Sequence, residues 1–187
     1  MCRTRKRSTG IQRRLSKKMV MLYILSGILG LIILVYVIGL ILPLERTVTR
    51  QSVFDASPQV LYGIVTNNND WQYRKDLKAL NILERNGEHE VWEEITNNGS
   101  VIRFETKNKT PYSFYAFDMS SKLFDGHWTA SFEAIDKNST CFVATEHIRI
   151  RNPFIKSLSY LFFDIGKLME QYQEDLKHKV KEQKAIR

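Results

Sequence analysis

The 187-residue chain is poor in the residues that define several protein classes. It has two cysteines, four prolines and nine glycines, too few for a disulfide scaffold, a collagen-like repeat or a low-complexity linker protein. Acidic residues are missing before Glu45, and residues 19–42 carry no charge of either sign. The net charge of +8 therefore has a single source. Arg3, Arg5, Lys6, Arg7, Arg13, Arg14, Lys17 and Lys18 supply it, and the other basic residues are matched by all 20 acidic ones. The high isoelectric point belongs to a basic tail, residues 1–18, so nucleic acid is not an expected partner. With 43% of its residues hydrophobic, the chain is not wholly disordered either.

The uncharged run from Met19 to Leu42 is rich in Ile, Leu, Val and Met. As a helix it would extend about 36 Å, enough to cross a hydrocarbon core of about 30 Å with some tilt. It is longer than the core of a signal peptide and leads into Ile41-Leu42-Pro43-Leu44 with no small-residue cleavage site. The reading is an uncleaved transmembrane helix, with the lipid bilayer as partner. Eight cations precede the span and only Arg46 and Arg50 follow it closely, which predicts a cytoplasmic N-terminus and an extracytoplasmic or lumenal body. The tail can also attract anionic headgroups. Ser26 and Gly30 stand four apart, a spacing that lets two spans approach, and a weak homodimer through the span is the expectation it gives.

Cys2 and Cys141 fall on opposite sides of such a membrane and do not pair; Cys141, in a run of strand residues, reads as a small buried hydrophobe. Asn98, Asn108 and Asn138 begin Asn-x-Ser/Thr sequons in polar, turn-like stretches.

The remaining stretch, residues 46–187, has the length of one domain. Thr47 to Ala56 reads as a strand, and Ser57-Pro58 is the cap and first-turn pair of a short helix. Asn67-Asn68-Asn69-Asp70 ends that helix, and a second short helix is expected around Trp71 to Asp76. Six alternating runs follow: Leu77–Arg85, Glu90–Thr96, Val101–Lys107, Ser113–Lys122, His127–Ile135 and Cys141–Arg151. Asn86-Gly87, Asn97-Asn98-Gly99, Asp125-Gly126 and Asp136-Lys137-Asn138 punctuate them as hairpin turns. Asn152-Pro153 then opens an apolar period of three and four running from Phe154 through Leu158, Leu161, Phe162, Ile165, Leu168, Met169 and Tyr172 to Leu176. It predicts one long amphipathic helix to about residue 180, with a fraying charged end from Lys177.

The fold class is thus α+β: a curved antiparallel sheet of about seven strands gripping a long C-terminal helix, preceded by one transmembrane helix. A strongly curved sheet need not meet its helix everywhere, and a cavity between them is expected. The chain resembles the START-like helix-grip superfamily, also called SRPBCC, in its polyketide cyclase/dehydrase-like branch. The likeness covers about residues 48–182 and rests on Phe54-Asp55-Ala56-Ser57-Pro58 with Val60 and Leu61 before Trp71. It rests also on Gly126-His127-Trp128-Thr129, Thr145-Glu146 and Arg151-Asn152-Pro153. It implies a hydrophobic pocket for a lipid, steroid-like or polyketide-like molecule, and no shared set of catalytic residues. A membrane anchor is a departure from the usual soluble member.

Strand alternation sorts the candidates. Trp128, Ala130, Phe132 and Ala134 share one face, read as inner, and His127, Thr129, Ser131 and Glu133 the other. Trp92, Ile102, Phe104, Tyr115 and Phe117 point inward by the same rule. Phe142, Ala144, Ile148 and Ile150 carry Glu146 inward with them. An acid among apolar residues is costly unless paired or hydrated, which singles out Glu146. It could orient the polar end of a ligand, act as a general base, or be a strand-end glutamate bonded to backbone or water. The candidate ligand-binding set is Trp71, Trp92, Phe104, Tyr115, Phe117, Trp128, Phe132, Glu146, Ile165, Met169 and Tyr172; its aromatic members serve equally well as ordinary core. His127, His147 and Glu133 share the outer face without metal-binding spacing, so no metal is expected. No phosphate loop, nucleophile elbow or zinc-peptidase motif occurs, and no cofactor is expected. The reading is a membrane-anchored binding domain for a hydrophobic small molecule or lipid. A protein-interaction module and a cyclase- or hydrolase-type enzyme using Glu146 are the alternatives.

Overall fold

A computed structural model describes residues 7–185, and the side chains from Lys17 onward. Cys2 and Arg3, Arg5 and Lys6 of the basic tail lie outside the described residues. Helix α1 (Arg7–Ile41) contains the apolar stretch, of which Lys17–Ile41 is long and apolar enough to cross a membrane. Within Lys17–Ile41 nearly all the large apolar side chains are uncovered by the rest of the described chain.

Seven strands form one antiparallel sheet: β1 (Glu45–Phe54), β2 (Leu77–Asn86), β3 (His89–Thr96), β4 (Val101–Thr110), β5 (Phe114–Ser120), β6 (Asp125–Asp136) and β7 (Ser139–Arg149). The order β1-β7-β6-β5-β4-β3-β2 is a meander closed at one edge by the first strand. Helix α2 (Pro58–Val65) is capped by Ser57, whose hydroxyl accepts from the Val60 N–H, and buries Leu61, Tyr62, Ile64 and Val65. The C-terminal helices are α3 (Pro153–Phe162) and α4 (Ile165–Ala185).

Gly87 and Gly99 occupy positive φ in their hairpin turns, as the sequence requires. Asp125-Gly126 differs. The turn lies earlier, where the Ser121 N–H donates to the Phe124 carbonyl, and Gly126 is inside β6. A Cβ there would come 2.8 Å from Met119 Cγ and 2.9 Å from the His147 carbonyl oxygen, so close packing, not a turn, asks for glycine.

Six other expectations are corrected. Residues 71–76 form turns, not a second helix: their backbone donors are spent on Arg74 N–H to Trp71 O, Leu77 N–H to Arg74 O and Lys75 N–H to Asp175 Oδ2. Asn108 lies within β4 and not in a turn. Cys141 is half-buried on the outer face, and Gln51 Nε2 stands 3.0 Å from its sulfur. Ala134 is exposed, because β6 runs on past the core. The single C-terminal helix is two, broken at Phe163, whose backbone is extended. Asp164 restarts the helix by accepting from the Lys167 N–H at 3.1 Å. The end of α4 does not fray at Lys177: Val180 is buried and Lys179 Nζ bonds Asp70.

Helix α4 lies across the concave face. Ile165, Met169, Leu176 and Val180 enter the core, while Arg50 Nε donates to Glu170 Oε1 at 2.7 Å and Ser52 Oγ to Gln173 Oε1 at 2.6 Å. Helix α3 packs elsewhere, against α1. A Cβ on Gly39 of α1 would lie 1.9 Å from the Pro153 carbonyl oxygen. Gly39→Leu should therefore force α1 and α3 apart and cost about 1–3 kcal/mol as overpacking does, read as a fall in Tm of the full chain in detergent. An unchanged Tm would mean the two helices separate without loss.

Candidate functional site

The concave face carries a cross-strand aromatic row. Trp92 on β3 is directly opposite Phe104 on β4, Phe117 on β5 is opposite Trp128 on β6, and Trp128 is opposite Glu146 on β7. Within the row Trp92 stacks on Phe104 with centroids 5.2 Å apart, and Phe117 on Trp128 at 4.7 Å. Phe117 meets Trp92 and Phe104 edge-on, joining the two stacks. Tyr115 edges onto Phe117 and Trp128, Phe132 onto Phe142, and Tyr172 of α4 meets Trp128 nearly at right angles. These orientations are the ones that ring quadrupoles favour. Ten of the eleven candidate residues thus lie on the concave face or the helix side that covers it. Trp71 does not: it is half-exposed in the 71–76 turns and outside the core cluster.

Three acids share this face, two of them overlooked in the sequence. Glu90 and Glu94 have the same parity as Trp92 on β3, so alternation alone points them inward; both are buried. Glu94 is held by a two-point ion pair in which Arg74 Nη2 donates to Oε2 at 2.7 Å and Nη1 to Oε1, and the Trp92 indole N–H adds a bond of 3.1 Å. Burial opposes the charge on Arg74, and the Glu94 carboxylate more than offsets it, holding the guanidinium above its usual pKa. Glu90 accepts from Asn68 Nδ2 and from Arg85 Nε at 2.6 Å. Arg74 and Asn68 come from loops, where no periodicity marks a side chain as inward.

Glu146 has nothing comparable. It sits mid-strand at the end of the aromatic row, between Trp128 and Val48, and makes no hydrogen bond or ion pair among the described residues. Desolvation by this apolar setting pushes its carboxyl up to about 7. It is thus mid-strand and not tied to backbone, and the other half of that reading, a glutamate bonded to water, stands. Two phenols are buried as well: the Tyr62 hydroxyl has no hydrogen-bond partner among the described residues, and that of Tyr115 lies near Thr106. Burial raises the pKa of each, keeping them neutral donors.

The outer face holds a polar row instead. His147, His127, Asp118 and Glu105 are directly opposite one another across β7, β6, β5 and β4. His127 Nδ1 is 2.6 Å from Asp118 Oδ1 and His147 Nδ1 is 3.2 Å from Glu45 Oε1. Glu133 lies further along β6, opposite Cys141, so it does not join the two histidines. Among the described residues no three His, Cys, Asp or Glu side chains are grouped to hold a metal ion. A depression of about 400 Å³ opens on this face around Asp118, His127 and His147.

No family model matches the chain, and no curated protein matches it. Solved structures do. The Zhui aromatase/cyclase of a Streptomyces species superposes with a TM-score of 0.65 at 10% identity, covering 73% of this chain and 94% of that one. A START superfamily protein from Mycobacterium smegmatis gives a TM-score of 0.59 at 16% identity over 73% and 97% of the two chains. Norcoclaurine synthase from Thalictrum flavum gives 0.59 at 9% identity over 73% and 86%. The fold is therefore the START-like helix grip that aromatase/cyclases also adopt. At these identities the likeness concerns the fold.

Proposed function

We propose that the chain is a single-pass membrane protein whose helix-grip domain binds a hydrophobic small molecule or lipid on its concave face, with Glu146 receiving the polar end. One observation carries the reading. Of the three inward acids, Glu90 and Glu94 are buried and fully partnered, whereas Glu146 is half-buried, has no protein partner among the described residues, and keeps its carboxylate open to solvent in an apolar setting. A ligand hydroxyl or amine would supply the missing partner, and the adjoining aromatic row would take the apolar body. The unpartnered Tyr62 hydroxyl supports it. The fold of α1 supports the anchor, since its apolar side chains have no protein to cover them, and the charge asymmetry favours a cytoplasmic N-terminus. A weak homodimer through Ser26 and Gly30 belongs to the same proposal: Gly30 meets no atom within 4 Å, leaving that face free.

Native mass spectrometry and solvent extraction of the full chain, purified in detergent, test it. A reproducible apolar molecule with one hydroxyl or amino group is expected. Glu146→Gln should keep the near-UV spectrum and lower the affinity about tenfold or more, the worth of a hydrogen bond to a charged group. An empty protein with no binding across a lipid panel would refute the reading and leave a protein-interaction module. A carboxyl poised near 7 also suits a general base. That second reading requires Glu146→Gln to abolish turnover of the bound molecule while leaving its binding intact.

A further inference from the structure

Residues 153–163 read in sequence as the first part of the helix that the sheet grips, yet the structure turns them away from the sheet. Ile155 still packs on the edge of the core, but the apolar side chains at the far end of this segment stay uncovered. Leu161 is 72% exposed, Phe162 82% and Phe163 42%, and the run is contiguous. In water such a patch is unfavourable, and helix α3 would gain by burying it.

The contacts with α1 say where it goes. Gly39 lies against the Pro153 backbone, and one turn away on each helix Ser157 Oγ donates to the Val35 carbonyl at 2.7 Å. The two helices run antiparallel over this turn only, since the end of α3 returns to Arg46 of β1. Val35 precedes the last residue of α1, Ile41, by about 9 Å along the axis. If α1 spans a bilayer to its end, Ser157 lies below the boundary of the hydrocarbon, and α3 enters the same leaflet.

The polar atoms of α3 are arranged for that setting. Lys156 is buried, and its Nζ reaches back to the Leu42 carbonyl at 2.9 Å, at the level where the span ends; this is how a lysine keeps its charge at the interface while its stem lies deeper. Arg46 Nη1 donates to the carbonyls of Ser159 and Phe163, each at 3.2 Å, and its guanidinium lies 4.5 Å from the centroid of the Tyr160 ring. Those carbonyls end a helix and have no water to bond in lipid, so a built-in cation is what they need. Arg46 and Lys167 border a surface depression of about 480 Å³ whose other walls include Tyr160, Leu161 and Phe162. The depression sets two cations and Asp164 beside aromatic and aliphatic groups, a pairing that suits the boundary of one phospholipid leaflet.

We infer that α3 is a second membrane element: an interfacial helix, docked on α1, whose Leu161-Phe162-Phe163 end is buried among the acyl chains of phospholipids while Arg46 and Lys167 meet their phosphates. This rests on α1 spanning the bilayer, and the test separates the two. The full chain, with Cys2→Ser and Cys141→Ser, is reconstituted into phosphatidylcholine vesicles with one cysteine carrying an environment-sensitive NBD dye. The sites are Phe162→Cys, its neighbour Leu161→Cys, Leu29→Cys in mid-α1 and Leu83→Cys on the exposed side of β2. Vesicles carry a doxyl quencher either high or low on the acyl chain.

Blue-shifted emission at residues 161 and 162, quenched several-fold more strongly by the high doxyl group than the dye at residue 83, is the expected result. The dye at residue 29 should answer to the low group. Water-like, unquenched emission at both 161 and 162 beside quenching at 29 would overturn the inference and leave the anchor standing. An unquenched dye at 29 would overturn both. Because 161 and 162 are exposed and tested separately, a folding defect in one variant does not decide the matter.

Discussion

Glu94→Ala is expected to remove about 3–5 kcal/mol of stability, the cost of leaving one half of a buried ion pair alone. The loss falls on Arg74, whose guanidinium keeps its charge beside the Tyr172 ring with only the more distant Asp76 to balance it. Trp92 loses its indole acceptor in the same step. In a chain of this size such a loss lowers Tm by about 10 °C, measurable by near-UV circular dichroism of the full chain in detergent. The double variant Arg74→Met, Glu94→Leu should recover most of it, because apolar groups of similar size replace a buried pair at little cost. A drop in Glu94→Ala of under about 1 kcal/mol would mean that the pair behaves as an exposed one.

Glu146 should give the second large effect, and its sign is unusual for a carboxylate. The folded-state pKa is raised to about 7, so between the unfolded value near 4.5 and 7 the native protein holds a proton that the unfolded chain has released. The favourable contribution is present at low pH and is lost as pH rises through that window, levelling off above 7. Its full size is up to about 3 kcal/mol, at about 1.4 kcal/mol per pH unit. Denaturant unfolding across pH 4 to 8 should therefore show the protein losing ground to Glu146→Gln, with the gap widening to pH 7 and then constant. Parallel curves would show that Glu146 is solvated and not held in an apolar setting.

The two acids were unequally visible in the sequence. Glu146 stands out because the run from Phe142 to Ile150 is otherwise apolar on even positions, so parity and polarity conflict at one residue. Glu90 and Glu94 flank Trp92 with the same parity, but β3 is rich in acids on both faces, and their partners Asn68 and Arg74 come from loops that carry no period. Strands and turns were legible wherever side-chain alternation and a positive-φ glycine agreed, as at Gly87 and Gly99. Gly126 misled because glycine serves close approach as well as turns. The break at Phe163 was hidden for a different reason. Hydrophobic spacing from Phe154 to Leu176 is continuous, and it cannot distinguish residues that meet a protein core from residues that meet another apolar surface; Ile165 and Met169 do the first, Leu161 and Phe162 do not. Trp71 was drawn into the candidate set by residue type alone.

The joint between helix and domain has a consequence for transport. Three residues, Leu42 to Leu44, connect α1 to β1, and even fully extended they allow a reach of only about 14 Å. The Ile150 N–H bonds the Leu44 carbonyl and Lys156 bonds that of Leu42, which removes the remaining slack. On the proposed reading, in which α1 spans a bilayer, a domain moored this tightly would not ferry a ligand across an aqueous gap to a second membrane, as a carrier on a long flexible stalk could. An apolar ligand held by such a domain would be exchanged with species diffusing in the same membrane plane, so those encounters would be two-dimensional and scale with surface density, not with bulk concentration.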